Sequence, residues 1–336
     1  MTADQVRFAL IGTGRIGQVH AASIAANPDA TLTLVYDPVV EGAQAVTQRY
    51  GGVVASDLEA VFSSADVDAV LIASPTPTHI DLIDRAVDAG IPALCEKPID
   101  LDIARVDALR SKVEVSAVPI ALGFNRRFDA GFASARARVA AGEIGTLEHL
   151  SIISRDPAPP PAEYVGMSGG IFRDMTIHDF DMARFFVPDI VEVFATGSSL
   201  FDAGAREHGD FDSAVVVLRA ASGALVTITN SRHSAIGYDQ RIEAFGARGM
   251  LQVENAGTSL VSVSTADAVE AKRPYQDFFL ERYAGAYAAE LDEFIKLVRG
   301  APSTSPTFAD GRAALMLADA AARSAAERVV VRVRLD

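Results

Sequence analysis

The stretch GGIFRDMTIHDFDMAR concentrates groups that could move a proton or hold a metal ion. If the chain is helical from Asp174, then Asp174, His178 and Asp181 share one helix face, whereas Asp179 and Arg184 are expected to be structural. Three interpretations fit this face: an exposed ion pair without chemical function, a divalent metal site, or His178 as a general base tuned by Asp174. The sequence has no second helical histidine motif and no cysteine pair to complete a metal site, so it predicts no metal.

Lys97 is a second candidate, because it follows an apolar run at residues 91–95 that is predicted to be a strand. Ligands of parallel α/β sheets bind beyond the carboxyl ends of the strands. A lysine at that place could donate to a substrate oxygen and stabilise negative charge. The alternative is a solvated lysine in a Glu–Lys–Pro turn.

A dinucleotide-binding loop is indicated near the first residues, where GTGRIG from Gly12 to Gly17 matches the pattern G-x-G-x-x-G. The loop follows the apolar run Val6–Ile11 and precedes a helical segment, and Asp37 ends the second predicted strand. Glycines let the backbone approach a pyrophosphate, and the helix N-terminus supplies N–H donors. A carboxylate at Asp37 would bind the adenosine ribose and repel a 2′-phosphate, which predicts NAD rather than NADP.

The elements that must position these residues fall into two groups. Up to about residue 122, apolar runs alternate with helical segments, which predicts a parallel, doubly wound sheet. One of these helices begins with a capping-box pattern, Thr78 with Asp81, and ends at Gly90. We therefore expect an α/β Rossmann domain for NAD at residues 1–122.

The second group predicts an α+β domain at residues 123–336, with a large open, mostly antiparallel sheet and helices. We expect this domain to bind the substrate and to mediate oligomerisation. Its predicted strands are residues 147–154, 191–196, 214–219, 225–230, 241–245 and 260–263, with a last one at 329–335. Its predicted helices are residues 175–186, 283–299 and 308–327.

Composition limits the classes of partner. The formal net charge is -14, and nucleic acids and anionic membranes are bound by basic patches. The single cysteine, Cys95, allows no intrachain disulfide. The first residues show no signal-peptide pattern, and no apolar stretch is long enough to span a bilayer. We therefore expect a cytoplasmic homo-oligomer that acts on a small molecule, without nucleic-acid or membrane partners.

Taken together, the GTGRIG loop, Glu96-Lys97-Pro98 and Asp174-x-x-x-His178 resemble the Gfo/Idh/MocA oxidoreductase family over essentially the whole chain. Within that family, residues 123–129, 154–157, 169–184 and 237–240 are similar to inositol 2-dehydrogenases.

The resemblance implies NAD-dependent oxidation of a cyclitol ring hydroxyl, with myo-inositol converted to 2-keto-myo-inositol, by a tetramer. It implies that His178 takes the hydroxyl proton, that Asp174 holds and tunes His178, and that Lys97 orients the hydroxyl and the nicotinamide. The implied substrate residues are Arg127, Asp156, Asp181 and Tyr238. The implied cofactor residues are Gly12, Gly14, Arg15, Ile16, Gly17, Asp37, Ser74, Thr76, His79, Glu96 and Lys97.

Each implied substrate residue also has a structural alternative. Arg127 could only pair with a carboxylate, and Asp156 could cap the proline-rich loop at residues 157–161. Tyr238 could pack between sheets, and Asp181 could support its helix. Three other functions stay open: a dehydrogenase of another polyol or sugar such as glucose or scyllo-inositol, an NAD-dependent glycosidase, and a non-catalytic NAD-binding regulator.

Overall fold

The structure, a computed structural model, describes residues 5–335 of the chain. In this part the strands are β1 (Val6–Ile11), β2 (Ala30–Tyr36), β3 (Val53–Val54), β4 (Ala69–Ile72), β5 (Ala93–Glu96), β6 (Ile120–Gly123), β7 (Leu147–Arg155), β8 (Ile190–Ser198), β9 (Ser213–Ala220), β10 (Leu225–Ser231), β11 (Asp239–Gly246), β12 (Gly249–Val253), β13 (Ser262–Val263), β14 (Ala271–Lys272) and β15 (Val331–Arg332).

The helices of the same residues are α1 (Arg15–Ala26), α2 (Val40–Tyr50), α3 (Leu58–Phe62), α4 (His79–Ala89), α5 (Ile103–Ser116), α6 (Ala130–Ala140), α7 (Ala162–Met167), α8 (Ile171–Asp174), α9 (Thr176–Phe186), α10 (Ala203–Glu207), α11 (Phe279–Arg282), α12 (Ala284–Val298) and α13 (Phe308–Glu327). Two 3₁₀ helices, Thr76–Thr78 and Asn125–Phe128, connect them. Of the helices within residues 5–335, none is both long and apolar enough to cross a membrane.

The elements form two compact units. The first contains the chain up to Phe128 together with Ala286–Leu315, and the second contains Asp129–Gly285 together with the residues from Met316 onward. The predicted boundary at residue 122 assigned residues in chain order. It therefore left Ala286–Leu315, the returning segment, out of the first unit. Most of α12 therefore lies in the first unit, not in the second as predicted.

The first unit is built around a six-stranded sheet in the order β3-β2-β1-β4-β5-β6. All its pairings are parallel, which confirms the predicted Rossmann-type sheet. Every residue of β4, β5 and β6 is buried, as expected for strands covered on both faces. The returning segment completes the core: Phe294 of α12 packs against Phe8 of β1, with ring centroids 6.1 Å apart.

The predicted start and end of α4 are confirmed, but the predicted capping box is wrong. Thr78 occupies the N-cap position without a side-chain cap, and its hydroxyl donates to the Pro75 carbonyl at 2.8 Å. The 3₁₀ helix before α4 already gives Thr78 a helical backbone, so its side chain turns back on the preceding turn and does not form the expected box with Asp81. Gly90 ends α4 in the left-handed conformation at φ 70°.

The second unit contains a seven-stranded sheet in the order β12-β11-β7-β10-β9-β8-β15. Only the pair β7–β10 is parallel among the described pairings of this sheet, which confirms the predicted mostly antiparallel sheet. Along β9 and β10, buried apolar residues alternate with more exposed ones. Helix α9 packs on β7 and β10, so this sheet supports the helix that carries His178.

The strand predicted at residues 260–263 is shorter than expected and does not belong to the large sheet. Only Ser262 and Val263 are extended, and they pair with β14 in a separate two-stranded sheet that is exposed. The missed neighbour of β11 is β12, which starts at Gly249, directly after the turn. The last predicted strand is reduced to Val331–Arg332, which pairs with β8.

Candidate active site

Of the three glycines in the GTGRIG loop of the first unit, only Gly14 has free space where a side chain would be. Gly12 has φ 96°, and a Cβ atom there would lie 2.6 Å from the backbone of Ala73. A Cβ atom on Gly17 would lie 2.1 Å from the Gly12 carbonyl oxygen, because the helix packs tightly on the loop. A Cβ atom on Gly14 would meet no heavy atom within 4 Å. Gly14 is therefore the place where a ligand can approach the backbone closely.

Helix α1 begins immediately after this opening. Gly14 is its N-cap and offers no side chain, and its first turn carries no acidic residue. The first N–H groups and the positive end of the helix dipole therefore suit an anion. Arg15 is exposed at this end and Ile16 is half-buried. These residues fit the pyrophosphate of a dinucleotide.

Asp37 follows β2 and connects that strand to the glycine loop. Its Oδ2 accepts from both the backbone N–H and the hydroxyl of Thr13, each at 2.8 Å. Its Oδ1 accepts from the backbone N–H of Val39 at 2.8 Å. The carboxylate is thus fixed beside the loop, where it would accept from ribose hydroxyls and repel a 2′-phosphate if a dinucleotide were bound there.

His79 lies between two loops at the carboxyl ends of β4 and β5. Its Nδ1 is 2.7 Å from the Pro98 carbonyl oxygen, and its Nε2 is 2.8 Å from the Ser74 carbonyl oxygen. Burial lowers the pKa of His79, whereas the two carbonyls and the carboxylates of Glu96 and Asp100 act in the opposite direction. Since both ring nitrogens face protein carbonyls, His79 holds the two loops together, and its implied contact with the cofactor stays a prediction.

Ser74 and Thr76, the other two residues implied for this loop, are half-buried. The Ser74 hydroxyl is 2.6 Å from the Thr78 hydroxyl, and Thr76 begins the 3₁₀ helix that precedes α4. Both therefore lie just beyond the carboxyl end of β4. Gly12 of the glycine loop packs against the neighbouring residue Ala73.

Lys97 directly follows β5, and its neighbour Glu96 turns inward. Glu96 Oε1 is 2.8 Å from His20 Nε2, and its Oε2 accepts from the Lys97 backbone N–H at 3.2 Å. Gly123 on β6 provides the room, because a Cβ atom there would lie 2.9 Å from the Glu96 carboxyl carbon. Glu96 thus joins the strand end that carries Lys97 to helix α1.

A second carboxylate, that of Glu290, completes this buried cluster. The ligand atoms of His20, Glu96 and Glu290 all lie within 4.8 Å of one another. Donor types and spacing would allow a metal ion, but the imidazole and the Glu96 carboxylate already share a hydrogen bond. Sequence reasoning missed His20 and Glu290, which are distant in sequence from Glu96.

In the second unit, Asp174 ends the short helix α8. Its Oδ1 accepts from the Tyr164 hydroxyl at 2.9 Å, and its Oδ2 lies 3.6 Å from Nη1 of the buried Arg232. The helix predicted at residues 175–186 is confirmed as α9, whereas the helical geometry assumed from Asp174 onward is interrupted at Met175, which separates α8 from α9. The carboxylate is 17% exposed, so the exposed-pair interpretation does not describe it.

His178 lies in the first turn of α9 and is half-buried, one helical turn beyond Asp174. Asp181 is 1% exposed, which favours its alternative role of supporting the helix. Asp179 is fully buried and accepts from Asn230 Nδ2 at 2.7 Å, so the expected structural role of Asp179 fits its contacts.

Of the other implied substrate residues, Arg127 has the carboxylate partner given as its alternative, whereas the contacts of Tyr238 and Asp156 differ from theirs. Arg127 pairs with Asp310 at 3.1 Å, within the first unit. Tyr238 is 4% exposed and packs edge-on against Tyr283, with ring centroids 6.0 Å apart. Asp156 is half-buried at the end of β7, where its N–H donates to the Ser231 carbonyl at 2.9 Å. The roles of all three side chains toward substrate stay predictions.

The structure thus brings together two sets of residues, each within one unit. The first unit holds the glycine loop, Asp37 and Lys97, and the second holds Asp174 with His178. Sequence reasoning missed Tyr164 and Arg232 in the second set, because neither belongs to a local motif.

Comparison with known proteins covers almost the whole chain. Residues 6–124 match the model of an oxidoreductase family with an NAD-binding Rossmann fold, and residues 132–252 match the GFO/IDH/MocA C-terminal domain. An inositol 2-dehydrogenase of Rhizobium meliloti is 46% identical, over 96% of this chain and 98% of its own length.

Solved structures agree with these matches. A myo-inositol dehydrogenase from Corynebacterium glutamicum superimposes with a TM-score of 0.95 at 53% identity, covering 98% of this chain and 99% of the other. A scyllo-inositol dehydrogenase from Lactobacillus casei, solved with NAD(H) and scyllo-inositol, gives a TM-score of 0.90 at 28% identity, covering 98% and 99%.

Proposed function

Because the chain belongs to the GFO/IDH/MocA oxidoreductase family, we propose that it oxidises a ring hydroxyl of inositol, with myo-inositol converted to 2-keto-myo-inositol. It is an NAD-dependent oxidoreductase that acts on a CH–OH group. The observation that carries the proposal is the joint presence of two parts: a glycine loop open at Gly14 beside Asp37, and a half-buried His178 one turn from an ion-paired Asp174.

In the proposed mechanism, His178 accepts the hydroxyl proton while the hydride leaves the same carbon, so that the C–O bond becomes a ketone. When bound, NAD supplies the acceptor for that hydride. Asp174 holds His178 and favours its protonated state by charge. Lys97 orients the hydroxyl and stabilises negative charge that develops on its oxygen.

A cyclitol suits side chains of this kind. It is neutral, rigid and densely hydroxylated, so its recognition requires several hydrogen-bonding groups and no dominant charge partner. Arg127, Asp156 and Tyr238 would provide such groups, in addition to Lys97 and His178. A site of this type rejects an analogue lacking a hydroxyl, because protein polar groups would stay unpaired.

A substrate panel tests the proposal. Formation of NADH is followed with myo-inositol, scyllo-inositol, other cyclitols and glucose, each with NAD and with NADP. We expect turnover of myo-inositol with NAD. Turnover of glucose alone would overturn the cyclitol assignment, and release of sugar from glycosides without net NADH would indicate glycosidase chemistry.

We also propose that the chain self-associates as a homotetramer through the free face of the seven-stranded sheet. One face of this sheet is buried in its own unit, whereas the other presents half-exposed or exposed apolar residues, among them Phe194, Val215 and Phe245. An apolar face of this kind on a sheet is a typical self-association surface. Light scattering should give a mass about four times the 35.5 kDa of one chain, whereas a monomer would contradict the proposal.

A further inference from the structure

Arg232 is a large charged side chain with almost no exposure. It follows β10 directly, and its side chain is 1% exposed. Its two terminal nitrogens point to two carboxylates: Nη1 lies 3.6 Å from Asp174 Oδ2, and Nη2 lies 3.3 Å from Asp210 Oδ2. A buried guanidinium needs such partners, because its charge is poorly solvated inside a protein.

Asp210 connects this ion pair to the backbone that leads to Asp174. Its Oδ1 accepts from the Ile171 N–H at 2.9 Å, at the first residue of α8. Gly170 makes the approach possible, because it has φ 86° and a Cβ atom there would lie 2.9 Å from the same oxygen. Asp210 thus fixes the beginning of the short helix that ends at Asp174.

Arg232 therefore acts on both ends of α8. It reaches the Asp174 carboxylate directly, and it holds Asp210, which anchors the first turn. The Tyr164 hydroxyl binds the other oxygen of Asp174 at 2.9 Å. From these contacts we infer that Arg232 is a positioning residue of the dehydrogenase, which sets the orientation and charge environment of Asp174 and through it of His178.

This inference rests on the proposed function, since it gives Arg232 a role in that reaction. A guanidinium that only stabilised the fold would leave the pH dependence of catalysis unchanged. If the guanidinium instead sets the charge next to the general base, its removal should shift the pH dependence of catalysis. The reason is that loss of a positive charge makes protonation of nearby groups easier. The other groups that contribute around Asp174 are Asp210, which shares Arg232, and the Tyr164 hydroxyl, whereas Arg173 is bound to Asp319 at 2.7 Å.

Two substitutions with opposite expected effects test the inference. Arg232→Gln removes the positive charge, so the acid limb of the kcat/KM profile should move to higher pH, and kcat should fall roughly 10²-fold. Asp210→Asn removes a negative charge that partly neutralises Arg232, while its amide oxygen can still accept from the Ile171 N–H. The acid limb should then move to lower pH.

Controls separate this outcome from misfolding. Arg138→Gln removes an arginine from an exposed pair with Glu143 in the same unit and should leave the profile unchanged. Arg232→Lys keeps the charge but loses the two-pronged contact, so kcat should fall while the acid limb stays in place. This variant also serves if Arg232→Gln fails to fold, as judged by circular dichroism.

A measurement without turnover distinguishes failure of this inference from failure of the proposed function. The titration of the His178 imidazole, followed by NMR and assigned with His178→Asn, should have a higher midpoint in Arg232→Gln and a lower one in Asp210→Asn. Unchanged midpoints in both variants would overturn the role of Arg232. Absence of NADH formation with every cyclitol in the wild-type protein would instead overturn the proposed function.

Discussion

Asp179 accepts a hydrogen bond of 2.7 Å from Asn230 Nδ2, and this buried contact fastens the helix that carries His178 to strand β10. The same amide accepts from the Thr176 hydroxyl at 2.7 Å through its oxygen. The Asn230 side chain, near the end of β10, thus binds both Thr176, two residues before His178, and Asp179, the residue after it.

Replacement of Asn230 by Ala should therefore lower the stability of the protein. The Asp179 carboxylate and the Thr176 hydroxyl would stay buried without this amide, so we expect a loss of about 3 kcal/mol in the free energy of unfolding. Urea unfolding measures this loss. Thr227→Ala, on the same strand, should cost less than about 1 kcal/mol. Equal losses in the two variants would show that Asn230 has no special role.

Gly170→Ala should lower the stability more than Gly223→Ala, although both glycines have a positive φ. At Gly170 the new methyl group meets the Asp210 carboxylate in addition to the unfavourable φ of 86°. Gly223 has φ 95°, but a Cβ atom there would meet no heavy atom within 4 Å. We expect Gly223→Ala to cost roughly 1–2 kcal/mol with normal kcat, and Gly170→Ala to cost more and to lower kcat. Thermal unfolding and initial rates measure both, and a normal kcat in Gly170→Ala would contradict the link to Asp174.

Asp37→Ala should weaken the preference for NAD over NADP, because the charge that repels a 2′-phosphate is removed. The matched control is Thr13→Val, which removes one donor to the carboxylate but keeps the charge and the Thr13 backbone contact. The ratio of kcat/KM for the two cofactors is the measurement. An unchanged ratio in Asp37→Ala would remove Asp37 from cofactor selection.

Lys97→Ala and His178→Ala should each reduce kcat steeply, by about 10²–10⁴-fold for the base, and leave NAD affinity nearly unchanged. Calorimetric titration with NAD and initial rates with myo-inositol separate the two effects. Lys272→Ala, at an exposed lysine of β14, should behave like the wild type. Normal turnover in either Lys97→Ala or His178→Ala would refute the proposed mechanism.

Stability should fall on acidification below about pH 6.5, in part through His79. Burial lowers the pKa of His79, so below pH 6.5 the unfolded chain binds a proton that the folded protein resists. The measurement is the difference in unfolding free energy between pH 7.5 and pH 5.5. We expect a larger loss in the wild type than in His79→Gln. The reverse order would indicate an imidazolium that donates to both carbonyls.

Local patterns predicted the parts of the site that depend on neighbours in sequence. The position of the glycine loop between β1 and α1 and the end of α4 at Gly90 follow from backbone geometry, which a short motif encodes. The close packing at Gly12 and Gly17 was not predicted. The spacing of Asp174 and His178 likewise placed them one turn apart, although Met175 interrupts the helix.

Features that depend on distant pairing were not predictable in this way. Arg232 meets Asp174 only because β10 and α8 are brought together by the fold, and His20 meets Glu290 only because α12 returns to the first unit. The amphipathic pattern of α12 shows that the helix is buried, but not in which core. The apolar residues at 260–263 suggested a strand of the large sheet, yet this segment is exposed.

The return of residues 286–315 to the first unit has a consequence for synthesis on the ribosome. Domains commonly fold as they emerge, beginning with the N-terminal one. Here Leu291, Phe294 and Ile295 belong to the same core as β1 and β2, so the nucleotide-binding half stays incomplete until nearly 300 residues have been translated. A nascent chain stalled before this segment should expose the apolar surface around Phe8 and recruit chaperones, whereas one stalled after it should become resistant to protease.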